Sequence, residues 1–329
     1  MVDKMTFKEI ERAIQRSPAI EDIDDPNNYR FSELIMGEGQ DIVIPETYSL
    51  RDRMTPVKNQ GARGTCVGFA STSITEYFNA KEWSKPDLDL SEEMLYRKIK
   101  DVDVADYNYS GYGAYSKSGA KALNLYGTCL DITLPYNSKI GDDGWKNIVV
   151  TEYMLKEAEE YKMLNYLMVQ PEVEKIQRAI LASDGPVMGA VTLYESYRKA
   201  SSNGGLIPLR VSGEKVIGGH EIVFTGWTKT HFEIKNSWGA AWGDKGYIYW
   251  PFAGIKDVHS LWSFIDLLTN PLVKTEAVIQ ENRKRVSSYA LVDWDKAIAL
   301  GYVNEGTLPL ATVSKQDFFV FMGRLGLLK

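Results

Sequence analysis

Cysteine and histidine are scarce in this sequence of 329 residues, which has only two cysteines, Cys66 and Cys129, and three histidines. Small secreted domains stapled by disulfides carry more cysteines, so a disulfide framework is excluded. Two cysteines cannot supply a four-thiolate zinc site, and the histidines show no HExxH spacing. We therefore expect neither a metal ion nor another cofactor.

The sequence also lacks a long apolar run and an excess of basic residues. No apolar run reaches the roughly 18 residues that a membrane span needs. The first residues are charged from Asp3 on and lack the apolar core of a signal peptide. A net charge of −6 argues against a nucleic-acid partner, because phosphate binding needs a basic surface. Localisation stays open between the cytoplasm, a cell surface and a virion.

The composition is that of a soluble globular protein, with 44% hydrophobic and 25% charged residues, and the length allows two domains. Residues 1–43 read as a separate lead-in. Phe7, Ile10 and Ile14 recur at helical spacing, and Pro18 ends that helix. The turn-rich acidic stretch that follows indicates a linker. An ordinary N-terminal helix and a regulatory segment are both consistent with this pattern.

The periodicity then divides the chain into a helical half and a strand-rich half. Buried helices are predicted over 66–83 and from 92, the second capped by Ser91, with further helices over 117–127 and 171–183. From residue 186 the apolar period shifts towards two, which predicts strands over 186–194, 220–228, 231–238 and 245–252. The sequence therefore predicts an α+β fold in which a cleft separates the halves.

Cys66 lies where a loop rich in glycine turns into the first of these helices. A thiolate is the nucleophilic form of cysteine, and the first turn of a helix lowers the pKa of a thiol through its partial positive charge. Gly61 and Gly64 would let the backbone approach a substrate carbonyl. On this pattern alone, a buried structural cysteine is the more common explanation.

Three segments with specific motifs add to this pattern: TPVKNQGARGTCVGFA (55–70), GGHEIVFTGW (218–227) and IKNSWGAAWGDKGYIYW (234–250). Gln60 lies six residues before Cys66, and Asn236 lies 16 residues after His220. In order and spacing these segments resemble the papain family of cysteine peptidases, and the resemblance covers roughly residues 44–265. It implies a two-lobed fold over residues 44–268, with a helical lobe, a β-barrel-like lobe and the active site between them.

The resemblance implies a role for each site residue. Cys66 is expected to be the nucleophile and His220 its base, paired as thiolate and imidazolium across the cleft. Asn236 would orient the His220 ring. Gln60 would donate to the oxyanion together with the backbone N–H of Cys66.

Trp238 would shield the bond between His220 and Asn236 from water, and Gly219 and Trp238 are expected to contact the substrate, a protein or peptide. An ordinary core position is the alternative for Trp238. His231, which we place in a turn between strands, and His259 match no motif, so we expect both to be bystanders.

Two positions depart from the family pattern around the nucleophile. Arg63 stands where the family has a cysteine, so the disulfide of that cysteine is absent, and Val67 stands where the family has a tryptophan. Neither change removes a catalytic group. Gly219, directly before His220, leaves that wall of the cleft small and uncharged.

Residues 269–329 form a further predicted unit with two short helices. It loosely resembles one S-layer-homology-type repeat, through a Trp-x-x-Ala helix, an Asn-containing turn and a capped helix that ends in Arg-Leu-Gly-Leu. Association with a cell wall and a simple helical hairpin that packs on the catalytic domain are the two interpretations.

Three functions are compatible with these motifs. The first is a cysteine peptidase. The second is a transpeptidase or isopeptidase on cell-wall peptides, which would use the same site with a different acceptor. The third is an inactive peptidase scaffold used for binding. A degenerate scaffold usually loses a catalytic group, and here Cys66, His220, Asn236 and Gln60 are all present. We also expect residues 1–43 to restrain activity by crossing the cleft.

Overall fold

The computed structural model describes residues 19–23, 25, 28, 30–31, 42–141, 143–163 and 165–265. The helix predicted before Pro18 and the S-layer-like unit over 269–329 lie outside these residues. The described chain contains helices followed by a mostly antiparallel sheet, which confirms the predicted α+β class.

The first lobe is built mainly from helices. The described residues of this lobe, and of the chain that connects it to the sheet, form five α-helices: α1 (Cys66–Trp83), α2 (Glu92–Tyr107), α3 (Ser116–Leu125), α4 (Glu152–Ala158) and α5 (Val173–Ser183). α1 packs against both α2 and α3, and it also packs against the sheet. The Ser91 side chain accepts a hydrogen bond from the Met94 N–H and caps α2, as the sequence predicts.

The second lobe is a seven-stranded sheet. Its strands are β2 (Tyr48–Ser49), β4 (Asn165–Val169), β5 (Val187–Tyr194), β6 (Val216–Trp227), β7 (His231–Lys235), β8 (Tyr247–Pro251) and β9 (Val258–Ile265). They lie in the order β4-β9-β5-β6-β7-β8, β2 pairs with β6, and all of these pairs are antiparallel. A separate short pair joins β1 (Ala19–Ile20) and β3 (Ala114–Tyr115) in parallel.

All four predicted strands are present, but their bounds differ from the prediction. The strand with His220 begins four residues earlier, at Val216, and the next strand ends at Lys235, before the Asn236 motif. His231 is the first residue of β7, so its predicted place in a turn is wrong. The sequence patterns also missed β4, β9 and α4, since β4 and β9 pair with each other over long sequence separation and α4 is only seven residues long.

Buried charges connect the two lobes. The Lys58 ammonium lies 2.6 Å from a Glu76 carboxylate oxygen on α1 and 2.7 Å from one of Glu92 on α2. From β7, the Lys235 Nζ donates to Thr55 Oγ1 and, at 2.9 Å, to Ser73 Oγ on α1. Because buried charges are costly unless they are paired or hydrogen-bonded, these contacts favour one fixed arrangement of the lobes.

None of the described helices is both long enough and apolar enough to span a membrane.

Close approach of β2 to β6 requires a glycine at position 226. A Cβ atom there would lie 2.2 Å from the Tyr48 carbonyl oxygen. We expect Gly226→Ala to lower the free energy of unfolding by about 1–3 kcal/mol, because the pairing must open to admit the methyl group. Thermal or urea denaturation measures this. Gly141→Ala is the control, since its Cβ would meet no atom within 4 Å. Equal stability of both variants would contradict the prediction.

Candidate active site

Cys66 is the first residue of α1 and is fully buried, and Thr65 is the N-cap. The predicted start of the helix is therefore confirmed. The amides and dipole in the first turn of a helix stabilise a thiolate. α1 packs against β6, the strand that carries His220.

Cys129 has a different environment from Cys66. It is buried against Met94 on α2 and Ala158 on α4. Burial, together with the Glu157 carboxylate, raises the pKa of the Cys129 thiol to about 11. A thiol with this pKa stays protonated and is a poor nucleophile at neutral pH.

His220 and Asn236 form a direct hydrogen bond, with 2.7 Å between His220 Nε2 and Asn236 Oδ1. The same oxygen accepts a hydrogen bond from the backbone N–H of Ser237 at 2.8 Å. A backbone N–H can only donate, so this contact identifies the Asn236 atom as the oxygen. His220 Nε2 must then carry the proton, which leaves Nδ1 as the nitrogen that can accept one.

Burial controls the charge of this histidine. It lowers the pKa of His220 to about 4, although the bond to Asn236 acts in the opposite direction. The imidazole is therefore neutral at physiological pH and able to act as a base. Trp238 stacks on the His220 ring with 4.6 Å between centroids and an interplanar angle of 28°. Trp238 is itself only 1% exposed, so its ring keeps water away from the bond between His220 and Asn236.

The Gln60 side chain is held at both ends and is fully buried. Its Oε1 accepts a hydrogen bond from Ser237 Oγ at 2.5 Å, and its Nε2 donates to the Arg63 carbonyl oxygen at 2.9 Å. A primary amide has two N–H groups. One donates to the Arg63 carbonyl, and the predicted contact with an oxyanion would use the second.

The structure thus joins three of the predicted residues through one neighbour. Ser237 bonds to Gln60 through its side chain and to Asn236 through its N–H, and Asn236 bonds to His220. Gly219 lies in β6 opposite Thr192 of β5, next to His220 in sequence. A contact of Gly219 or Trp238 with substrate stays a prediction.

Sequence reasoning missed two residues that hold this site. Ser237 lies between Asn236 and Trp238 in the third motif, and only those two neighbours were predicted to have a role. Tyr136 donates a hydrogen bond from its hydroxyl to the Gln60 carbonyl oxygen at 2.8 Å, and it shares another bond with Thr65 Oγ1. Tyr136 lies in the segment LYGTCLDITLPYN (125–137), outside the three motif segments, so the sequence signal for it is weak.

Comparison with known proteins identifies the family of the chain. Residues 44–254 match the family model described as papain family cysteine protease. The chain belongs to the papain family of cysteine proteases.

Similar curated proteins are members of this family from distant organisms. The chain is 28% identical over 236 residues to papain of Carica papaya, which covers 67% of the chain and 60% of that protein. It is 24% identical over 228 residues to an uncharacterised peptidase C1-like protein of Acanthamoeba polyphaga mimivirus, covering 65% and 71%. Cathepsin K of Mus musculus is 27% identical over 62% of the chain and 59% of its own length. The chain thus spans about three fifths of the length of papain and cathepsin K.

Solved structures of the family share the fold. Xylellain, a cysteine protease from Xylella fastidiosa, has a TM-score of 0.64 at 22% identity and covers 76% of this chain and 96% of its own. A digestive procathepsin L2 from Tenebrio molitor has a TM-score of 0.57 at 21% identity, covering 80% and 81%. The predicted papain-like fold is confirmed.

Asn236 can be tested as an orienting residue. We expect Asn236→Ala to lower kcat by about 10- to 100-fold with little change in KM, because His220 loses its fixed tautomer while substrate contacts stay. Steady-state kinetics on a fluorogenic peptide measures both constants. Asn79→Ala is the matched control, since Asn79 is also buried but donates to the Thr75 carbonyl within α1. A change in KM alone would show that Asn236 binds substrate instead.

Proposed function

We propose that this papain-family protein is a cysteine peptidase that hydrolyses peptide bonds in proteins or peptides, with Cys66 as nucleophile, His220 as base, Asn236 as orienter and Gln60 in the oxyanion hole. The observation that carries the proposal is the hydrogen bond from His220 Nε2 to Asn236 Oδ1. It leaves Nδ1 of a buried, neutral imidazole as the proton acceptor.

The chemistry follows from these positions. His220 Nδ1 takes the proton of the Cys66 thiol, and the thiolate attacks the substrate carbonyl to form a C–S bond. The oxyanion accepts hydrogen bonds from the remaining N–H of Gln60 and the backbone N–H of Cys66. His220 then returns the proton to the leaving amine as the C–N bond breaks. Water, deprotonated by the same imidazole, cleaves the thioester and regenerates the thiol.

The alternatives use the same scaffold. A transpeptidase or isopeptidase would let an amine attack the thioester in place of water, and the residues of the site are compatible with either acceptor. An inactive scaffold has no need for the two bonds that orient the Gln60 amide or for the fixed tautomer of His220, and these features favour an active enzyme. Association with a cell wall stays a prediction from residues 269–329.

The nucleophile separates an active enzyme from an inactive scaffold. We expect Cys66→Ala to abolish turnover and labelling by a peptidyl epoxide, whereas Cys129→Ala keeps both, because the Cys129 thiol stays protonated. Cleavage assays and mass spectrometry of the labelled peptide provide the measurements. Full activity of Cys66→Ala would overturn the peptidase proposal. No turnover and no labelling of the folded wild-type protein would favour the inactive scaffold.

We also propose that residues 1–43 restrain the enzyme. Ala19 and Ile20 form β1, which pairs with Ala114 and Tyr115 and contacts β6, the strand of His220. An extended segment that adds to a strand in this way occupies an edge where a substrate peptide would pair. Ala19 is 5% exposed, so β1 is packed against the domain.

Asp22 attaches this segment to α3 and β9. Its carboxylate accepts hydrogen bonds from the Lys117 N–H and from Trp262 Nε1, at 3.0 and 2.8 Å. Burial raises the pKa of Asp22 to about 6, against the opposing effect of these donors and of the Lys117 charge, with Asp103 adding to the rise. Glu221 is another buried acid that interacts with Asp22, and burial holds its pKa well above the usual range.

The sign of the pH effect follows from this shift. A carboxyl group whose pKa is raised on docking favours the docked state at low pH, and that contribution is lost as the pH rises through about 6. Attachment of the segment should therefore weaken as the pH rises from 3.8, the ordinary pKa of an aspartate, to about 6, and it should stay at this weaker level above that.

Removal of the segment tests the restraint. We expect a protein that starts at Ile44 to have a higher kcat/KM than the full chain, and we expect inhibition in the full chain to relax as the pH rises through about 6. Asp22→Asn should remove that pH dependence. Ile23→Ala is the control, because Ile23 is 62% exposed. Lower thermal stability without any gain in activity would show that the segment only stabilises the domain.

A further inference from the structure

The loop from Gln60 to Cys66 contains an unusual buried charge. Arg63 is only 4% exposed, although arginine is almost never fully buried unless it is paired. It stands at the position where the family pattern has a cysteine. The side chain at this position must therefore be held by something other than a disulfide.

Glu93 of α2 is the principal partner of this arginine. Arg63 Nη1 lies 2.7 Å from Glu93 Oε2, and Arg63 Nη2 lies 2.9 Å from Glu93 Oε1. This is a bidentate pair between two planar groups, which is the strongest geometry for such a contact. Glu93 is 1% exposed, so solvent screens the pair very little.

Two further contacts fix the guanidinium. Arg63 Nη1 also donates to the Asn137 carbonyl oxygen at 2.9 Å, and the group lies 4.9 Å from the centre of the Tyr136 ring. Glu93 Oε2 in turn accepts a hydrogen bond from the Asn137 N–H at 3.0 Å. Arg63 thus connects its loop to both α2 and the segment at residues 136–137.

The backbone of Arg63 reaches the candidate oxyanion hole directly. Its carbonyl oxygen accepts the hydrogen bond from Gln60 Nε2 at 2.9 Å. The Arg63 carbonyl can orient the Gln60 amide only while the loop keeps its conformation. The buried Arg63 side chain anchors this part of the loop in the interior. Tyr136 supports the same loop through its bond to the Gln60 carbonyl oxygen.

We infer that Arg63, through its ion pair with Glu93, is a positioning residue for Gln60. The pair fixes the Arg63 carbonyl, the carbonyl holds one N–H of the Gln60 amide, and the other N–H is thereby directed to the oxyanion. This inference rests on the proposed peptidase function. It assigns no contact between Arg63 and substrate.

A double-mutant cycle between Arg63→Lys and Gln60→Ala tests the inference. Lysine keeps the charge but cannot reproduce the bidentate geometry. In the background with Gln60 intact, we expect Arg63→Lys to lower kcat by about 10-fold or more, within the roughly 10²–10³-fold that one oxyanion donor contributes. KM should change little. In the Gln60→Ala background, the same substitution should lower kcat less than about 3-fold, since the group that it positions is gone.

Arg51→Lys is a matched control. Arg51 has the same three kinds of partner, namely the Asp244 carboxylate at 2.7 Å, the Asp244 carbonyl oxygen at 2.9 Å and the Tyr247 ring at 4.1 Å. It lies in the sheet lobe, outside the nucleophile loop. Arg51→Lys should lower the melting temperature yet leave kcat unchanged in both backgrounds.

Glu93→Gln provides a second variant if Arg63→Lys does not fold. It keeps the shape of the side chain and an acceptor for the Asn137 N–H, and it should show the same coupling to Gln60→Ala. Equal losses of kcat in both backgrounds, for whichever variant folds, would overturn the positioning role and leave a structural one. If Cys66→Ala stays active or Gln60→Ala has no effect, the proposed function itself fails, which is a separate outcome.

Discussion

The candidate site depends on the link between Gln60 and Ser237. The Gln60 N–H donates to the Ser237 carbonyl oxygen at 2.9 Å, and Ser237 Oγ donates to Gln60 Oε1 at 2.5 Å. Gln60 belongs to the segment that leads into α1, and Ser237 follows β7 and the orienting Asn236. One residue pair therefore fixes Gln60, the proposed oxyanion donor, relative to Asn236, the proposed orienting residue, although the two come from different lobes. Backbone and side chain both take part, so neither partner can rotate without breaking a buried bond.

Burial around this link sets the charges that the chemistry needs. Trp238 excludes water from His220, and the resulting drop in pKa to about 4 keeps the imidazole neutral. Burial likewise lowers the pKa of Lys235, directly before Asn236, to about 8, against the attraction of the Glu76 and Glu92 carboxylates. A low dielectric strengthens the bond between His220 and Asn236 and also makes each unpaired charge costly. This explains why the lysines and glutamates beneath the site occur as a connected group.

The sequence predicted the parts of the fold that depend on local pattern and missed those that depend on distant pairing. The helix from Cys66 was correctly bounded, because a glycine-rich loop precedes a run of buried residues. β9 was missed, since its strand character comes from pairing with β4 and β5 rather than from alternation. The motifs predicted Gln60, His220 and Asn236 as site residues, and the structure links the three through Ser237. Ser237 and Tyr136 could not be assigned, because the sequence does not indicate which group a hydroxyl will hydrogen-bond.

Arg63 shows how a departure from a family motif acquires a physical meaning only in the structure. In the sequence it signified a missing disulfide and nothing more. A disulfide stabilises mainly by restricting the unfolded chain, whereas the pair of Arg63 and Glu93 exists only once α2 and the loop have come together. The pair cannot therefore guide early folding in the way a covalent link does. It can still specify the folded loop, because any arrangement that separates the two groups leaves a buried charge without a partner. The order around Gln60 is thus a consequence of completed packing, and it does not depend on the redox state of the surroundings.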